Sequence, residues 1–293
     1  MSQRKENAIG VDLGGTNIRI GKISPNGQIL ELVIDHVPKG RDQQLNFIKS
    51  SLQKISSDNV SCIGLGFPGR VAACSGKILT AGFLELQDLN LAEIITDWTN
   101  LPAFIDTDAN MALFAELKIG AARDYNEVSL LTIGTGIGGA IASNGKIFYG
   151  GGSAGQLGHI TVDMNGAICN CGRRGCIETT SSGTALRELL VEHGFDEGTR
   201  IQDLLNYVEK GNPKAKNLLM QWILPLRYAM DSISATLGSE LILLGGGLGS
   251  VAYGILQKFT DFESHWFTYR VCPCSLGDNA GVIGAAFHGL ALV

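Results

Sequence analysis

Residues 8–27 read AIGVDLGGTNIRIGKISPNG, and residues 128–145 read VSLLTIGTGIGGAIASNG. In each, a short apolar run meets a glycine turn, a second apolar run follows, and an Asn-Gly pair closes a hairpin. The first copy turns through Asp12-Leu13-Gly14-Gly15-Thr16-Asn17, the second through Gly134-Thr135-Gly136-Ile137-Gly138-Gly139. An order of strand, glycine turn, strand and Asn-Gly that occurs twice predicts a duplicated α/β architecture, with two similar lobes facing each other across a cleft.

Outward from the first copy, residues 29–34 read as a third strand. Leu45, Ile48, Leu52 and Ile55 have helical spacing, and residues 62–67 form another short strand closed by Pro68-Gly69. A helix over 91–98, a strand over 103–105 and a helix over 109–117, starting just after Asp108, complete the first half. The later chain is mostly helical, over 185–191, 201–208 and 215–236, the last interrupted by Pro225. A buried strand at 241–244 then leads into Gly245-Gly246-Gly247, and residues 281–290 read as a closing helix. No low-complexity linker divides the lobes. The boundary falls loosely between Leu117 and Asn126, giving lobes of residues 1–118 and 119–293, with the closing helix free to pack back on the first.

The chain of 293 residues is 45% hydrophobic and 17% charged, with a net charge of −5. Without clustered cations, a broad nucleic-acid footprint is not expected. No apolar run reaches the roughly 18 residues of a membrane span, and the polar start from Met1 to Asn7 lacks a secretory h-region, so the expected compartment is the cytoplasm. Many of the 39 glycines cluster between Val/Ile/Leu runs, which points to backbone pressed close to a ligand rather than to flexible linkers.

Glycine in the first turn lets backbone N–H groups of Gly14 and Gly15 approach a polyphosphate, while Thr16 and Asn17 add side-chain donors. Asp12, at a strand end, is placed to hold Mg²⁺ through water. The second turn, with Gly134, Thr135 and Gly136, grips the same phosphates from the other lobe, and Gly245, Gly246 and Gly247 suit a flat adenosine. Neither turn matches the P-loop or dinucleotide patterns, which argues against a Walker-type ATPase and against NAD. Asp106-Thr107-Asp108 joins a strand to a helix; an N-cap role would absorb one Asp. Phosphoryl transfer to a hydroxyl needs a carboxylate base, and Asp108, nearest the helix start, is the better candidate.

His159, Cys169, Cys171 and Cys176 place four soft ligands within 18 residues. In a reduced compartment this set reads as a closed tetrahedral structural zinc site with no open catalytic position. Glu178, two residues on, is a polar group the zinc loop would aim at a substrate. Cys62, Cys74, Cys272 and Cys274 read as unrelated to the site, and Trp98, Trp222 and Trp266 as core packing.

Together these motifs resemble the ROK family of repressors, open-reading-frame proteins and sugar kinases, within the hexokinase/actin-like superfamily. The resemblance runs through Asp12 to Thr16, Phe67-Pro68-Gly69, Asp108 to Asn110 and Gly134 to Gly139. It continues through Gly155 to His159, Cys169-Asn170-Cys171-Gly172, Gly175-Cys176-Ile177-Glu178, Gly245 to Gly247 and Asp278-Asn279-Ala280-Gly281. It implies a two-lobed actin-like (ribonuclease H-like) α/β fold and ATP-dependent phosphorylation of a hexose, with ATP, Mg²⁺ and structural Zn²⁺ as cofactors. Asp108 would be the base, His159 both a zinc ligand and a sugar contact, Glu178 a partner of sugar hydroxyls, and Gly69 a border of the sugar. Phosphates would lie on the turns at Gly14 and Gly136, with adenosine at Gly245 to Gly247, in a homodimeric enzyme.

Two positions depart from the family pattern: Thr107 stands where many members have Asn, and Gln156 where most have Glu. Both usually contact the sugar. Glucose, mannose, fructose, allose, N-acetylglucosamine and N-acetylmannosamine therefore all stay open as substrates. A ROK repressor would carry a helix-turn-helix of roughly 60 to 80 residues before the phosphate turn, which here begins at Asp12. A non-catalytic sugar sensor would not need Asp108, and an actin-like assembly ATPase would need neither Asp108 nor the zinc loop.

Overall fold

The computed structural model describes residues 6–14, 17–55, 57–72, 76–81, 84–259, 266 and 268–293. Gly15 and Thr16 of the first glycine turn, and Cys74, lie outside these. The chain forms two compact units, one of Met1–Asp124, Gly145–Ala154 and Ser275–Val293, the other of Tyr125–Asn144 and Gly155–Cys274. No single cut in the sequence separates them.

In the first unit the sheet order is Ile29–His36, Asn17–Ile23, Asn7–Leu13, Val60–Phe67, Ala103–Thr107. The first three strands are antiparallel and the last two run parallel to Asn7–Leu13. In the second unit Ile137–Ser143, Val128–Ile133, Leu241–Gly245 and Arg270–Pro273 are neighbours in that order, again antiparallel pairing on one side and parallel partners on the other. The duplication seen in two glycine turns is thus a duplication of sheet topology. Buried parallel strands need apolar residues on both faces, and Ala8–Val11, Ile63–Phe67 and Leu241–Leu244 supply them.

One face of the first sheet packs Leu13, Ile18, Ile20, Ile63, Leu65 and Phe67 under the helices Arg41–Lys54 and Leu91–Thr99. The other face takes the closing helix Ala280–Leu290, through Ala8, Cys62, Val282, Ala286 and Phe287. That helix lies so close that a Cβ at Gly10 or Gly64 would overlap the carbonyls of Val282 and Ala285. Backbone therefore rests on backbone, which holds the strand end at Asp12 against the helix start at Gly281.

Two sequence expectations are corrected. The helix Pro213–Leu237 runs through Pro225 instead of breaking there. A proline costs an interior helix ~3 kcal/mol, but this one buries Leu218, Leu219, Trp222, Ile223, Leu226, Met230 and Ile233. At roughly 1.5–3 kcal/mol for each large side chain, burial exceeds the proline's cost. Trp266 is 88% exposed rather than packed in the core, whereas Trp222 is fully buried and Trp98 packs on the first core beneath the Lys49 ammonium. A lone tryptophan in sequence carries no burial signal of its own. The strand Arg270–Pro273, through Cys272-Pro273, carries no alternation by which the sequence would reveal it.

Candidate functional site

At the strand–helix junction of the first unit, three adjacent polar residues have separate partners. Asp106 is buried, and its carboxylate accepts from the Thr107 N–H at 2.6 Å, the Asn110 side-chain amide at 2.9 Å and the Tyr149 hydroxyl at 2.7 Å. Burial, reinforced by the Asp106 charge, pushes the Tyr149 hydroxyl well above the ordinary tyrosine range. Thr107 is the N-cap of the helix Asp108–Ile119, its hydroxyl oxygen accepting from the Asn110 N–H. The cap is therefore neither aspartate, which corrects the expectation that capping would absorb one of them. Among the described residues, Asp108 accepts from backbone N–H groups alone, that of Ala109 at 2.7 Å, and no side chain donates to it, so accepting capacity is left free. Burial pushes its carboxyl from 3.8 to about 6, against the lowering effect of backbone hydrogen bonds.

Asp12 lies in the same unit, paired across the sheet with Arg19. Burial and then the charge of Asp108 raise its carboxyl to about 7; Arg19 lowers it and Asp278 raises it. A Cβ on Gly281 would sit 2.6 Å from the Asp12 carboxyl carbon, so glycine is required at this helix start. Arg19 bonds Asp278 at 2.9 Å, yet its Nε is buried without a partner among the described residues. A buried carboxylate raised further by a neighbouring one is a ready seat for a divalent cation, which would offset both burial and repulsion. The Gly14 N–H is tied to the Asn17 carbonyl, which closes the first turn on itself. Gly69, at φ 123°, makes the turn into Arg70–Val71, where a Cβ would overlap the Thr80 carbonyl.

The second unit carries the other glycine turn, and its backbone groups can be accounted for one by one. The Gly134 N–H bonds the Gly136 carbonyl, and the Ile137 N–H bonds Glu178 Oε2 at 3.0 Å. The Gly134 carbonyl accepts from the Gly183 N–H, and the Thr135 carbonyl from both the N–H and the hydroxyl of Thr184. Among the described residues, the N–H groups of Thr135 and Gly136 take no partner. Two adjacent free donors on an otherwise pinned turn are groups an anion could engage. Beside it, Gly246 at φ 75° packs against the Ile133 carbonyl, and Gly247 faces open space before the helix Gly249–Phe259.

The ligand atoms of His159, Cys169, Cys171 and Cys176 all lie within 4.8 Å of one another. The Cys169 Sγ to His159 Nδ1 and Cys171 Sγ to Cys176 Sγ separations are both 3.6 Å. A tetrahedron with zinc–sulfur bonds of about 2.3 Å has edges of roughly 3.8 Å, so the set fits a tetrahedral thiophilic cation. Burial raises the Cys169 and Cys176 thiols, while the Arg173 N–H lowers Cys171. A cation would displace the thiol protons. Gln156, just before the 3₁₀ turn Leu157–His159, is exposed. Glu178 opens the helix that follows the last cysteine.

The structure thus brings Asp12 and Asp108 together in one unit, and gathers the metal ligands, Glu178 and the second glycine turn in the other. Tyr149 and the Gly183–Thr184 clamp gave no signal in the sequence. Asp278 stood in a recognisable motif, but without an assigned partner.

The ROK family model matches residues 8–290. A glucokinase of Thermotoga maritima is 30% identical, over 95% of this chain and 95% of its own. An N-acetylmannosamine kinase of Escherichia coli is 27% identical, over 96% and 98%. Among solved structures, a ROK family glucokinase of Streptomyces griseus, in complex with glucose and AMPPNP, superposes with a TM-score of 0.81 at 25% identity, covering 97% of this chain and 99% of that one. The actin-like α/β class implied by the family resemblance is the one adopted. A chain matched almost end to end, in sequence and in fold, belongs to the ROK family.

Proposed function

We propose that this ROK family sugar kinase moves the γ-phosphate of Mg-ATP onto a hexose hydroxyl, with Asp108 as the general base. The observation that carries this reading is the division of labour at the helix start. Thr107 caps, Asp106 is consumed by three donors, and Asp108 keeps free acceptor capacity with its carboxyl raised to about 6. A base poised just below neutral is ionised at working pH, yet basic enough to take the hydroxyl proton as the oxygen–phosphorus bond forms. The bridging bond to ADP breaks in the same displacement.

Other roles follow the chemistry of each group. The free N–H groups of Thr135 and Gly136 would hold phosphate oxygens, as would Gly14, Gly15, Thr16 and Asn17 in the first turn, with Gly245 to Gly247 against adenosine. Asp12 would hold Mg²⁺ through water, where the cation neutralises charge on the transferring phosphoryl group. His159, Cys169, Cys171 and Cys176 would hold zinc, which ties the loop carrying Glu178. Gly69, Thr107, Gln156, His159 and Glu178 would border or contact the sugar. The relatives named for glucose and N-acetylmannosamine support a hexose or an N-acetylhexosamine, with allose and fructose as further candidates. The family resemblance supports a homodimer in the cytoplasm.

An ADP-coupled assay over glucose, mannose, fructose, allose, N-acetylglucosamine and N-acetylmannosamine tests this. Magnesium-dependent ADP release is expected with at least one sugar. ADP release that no sugar stimulates would refute the kinase reading.

A further inference from the structure

We infer that Glu178 is a positioning residue for the nucleotide's phosphates, linking the metal loop to the second glycine turn. This rests on the kinase reading above and adds a role on the phosphate side for a residue placed there beside the sugar. Glu178 Oε2 accepts the Ile137 N–H at 3.0 Å, while Oε1 lies 3.7 Å from the Sγ of Cys169, one of the four metal-loop ligands. Oε1 thus faces the loop while Oε2 holds the turn; with the thiol protons displaced by a cation, the loop keeps Glu178 in place through the chain itself, the Thr179 N–H and hydroxyl both donating to the Cys176 carbonyl.

Three further observations converge on it. A Cβ at position 136 would meet Glu178 Oε2 at 2.5 Å, so the turn is glycine there because the carboxylate fills the space a side chain would need. The segment that continues from Glu178 holds the turn's carbonyls as well, through Gly183 and Thr184. That segment is itself anchored, since the buried Trp222 indole donates to the Ser182 carbonyl at 2.9 Å. With carbonyls and the Ile137 N–H all engaged, the N–H groups of Thr135 and Gly136 are the two donors of the turn left without a partner among the described residues, and the turn that carries them is held in place. Without the Glu178 bond, the Ile137 N–H would compete for other acceptors, and the pair would lose its alignment.

The metal loop then acts on nucleotide affinity as well as on the sugar. Glu178→Gln keeps a carbonyl that can accept from Ile137; Glu178→Ala does not. ADP binding without sugar, measured by titration calorimetry alongside zinc content, separates the two. The Ala variant should raise the Kd for ADP by at least about 10-fold, the scale of one lost charge-assisted bond. The Gln variant should stay within about 3-fold, both keeping the wild-type zinc content. Zinc removed from the wild type by a chelator should weaken ADP in the same direction, and adding zinc back should restore it. ADP affinity unchanged in a folded Ala variant overturns the inference. So does an Ala variant that unfolds while chelated wild type binds ADP as before. A wild type that binds no nucleotide at all would instead strike the kinase reading itself.

Discussion

Replacing Asp108 with Asn should slow the enzyme and stabilise the protein at once, and the two effects have a common origin. Burial raises the Asp108 carboxyl from 3.8 to about 6, so the folded chain holds that proton more tightly than the unfolded chain does. The sign follows from linkage: the folded state is favoured by protonation, so stability is lost as pH rises from about 4 through about 6 and stays lost above. At ~1.36 kcal/mol per pH decade, the loss at pH 8 is about 3 kcal/mol at most, and roughly 1–3 kcal/mol once partial exposure is allowed for. Asn removes the charge but keeps an oxygen for the Ala109 N–H, and the helix cap on Thr107 is untouched. Asp108→Asn should therefore melt several degrees higher at pH 8, with the gain fading towards pH 4. Its kcat should fall by about 10² to 10⁴, the usual scale for a lost base. The wild-type kcat/KM should show an acid limb near pH 6 that the variant lacks. Thermal unfolding of ligand-free protein at both pH values, with steady-state kinetics, provides the check. A variant that is less stable at pH 8, or that keeps activity within a few-fold, would show that Asp108 is a structural residue.

Other consequences follow from the same geometry. Protein purified without added metal should carry about one zinc per chain by elemental analysis, and Cys171→Ser should lower Tm and weaken sugar binding together; active, freshly purified protein free of metal would contradict the site. Gly281→Ala puts a methyl 2.6 Å from the Asp12 carboxyl carbon, and should raise the Mg²⁺ concentration for half-maximal activity by about 10-fold, the lower end for a disturbed metal neighbour; an unchanged Mg²⁺ titration would remove Asp12 from that role. Thr107→Asn combined with Gln156→Glu keeps a capping oxygen and adds an amide and a carboxylate, each worth on the order of 1 kcal/mol to a sugar hydroxyl. The double variant should gain kcat/KM for glucose relative to the wild type's preferred sugar, and no gain would clear both positions of setting specificity.

The parts of the fold legible in sequence were those written by local backbone chemistry. Short apolar runs ending in Asp12-Leu13-Gly14 and in Ile133-Gly134-Thr135 could only be buried strands opening into turns, and both are. The ligand set from His159 to Cys176 was legible because few other roles call for three thiols and an imidazole at that spacing. Illegible parts depended on partners distant in sequence. Nothing around Pro225 announces that Trp222 and Leu226 will be buried deeply enough to keep the helix whole. Likewise nothing near Tyr149 points to a carboxylate 43 residues earlier in the chain.

The junction Asp106-Thr107-Asp108 shows where sequence reasoning stops and geometry must take over. Both aspartates follow a strand and border a helix start, so composition and position leave their roles interchangeable. Strand pleat alone would send residues two apart to the same side; the change from strand to helix separates them, because the strand ends at Thr107 and Asp108 is the first helical residue. Asp106 meets Asn110 and the Tyr149 hydroxyl, and is spent on holding the turn. Thr107 stands between them with extended backbone, the geometry an N-cap needs, so its hydroxyl takes the cap. Asp108 is left at the start of the helix with backbone donors alone among the described residues, enough to orient the carboxylate without satisfying it. The same three residues thus divide into a brace, a cap and a base, and the departure from Asn to Thr at 107 leaves that division intact. If this junction alters specificity, it does so through the missing amide alone.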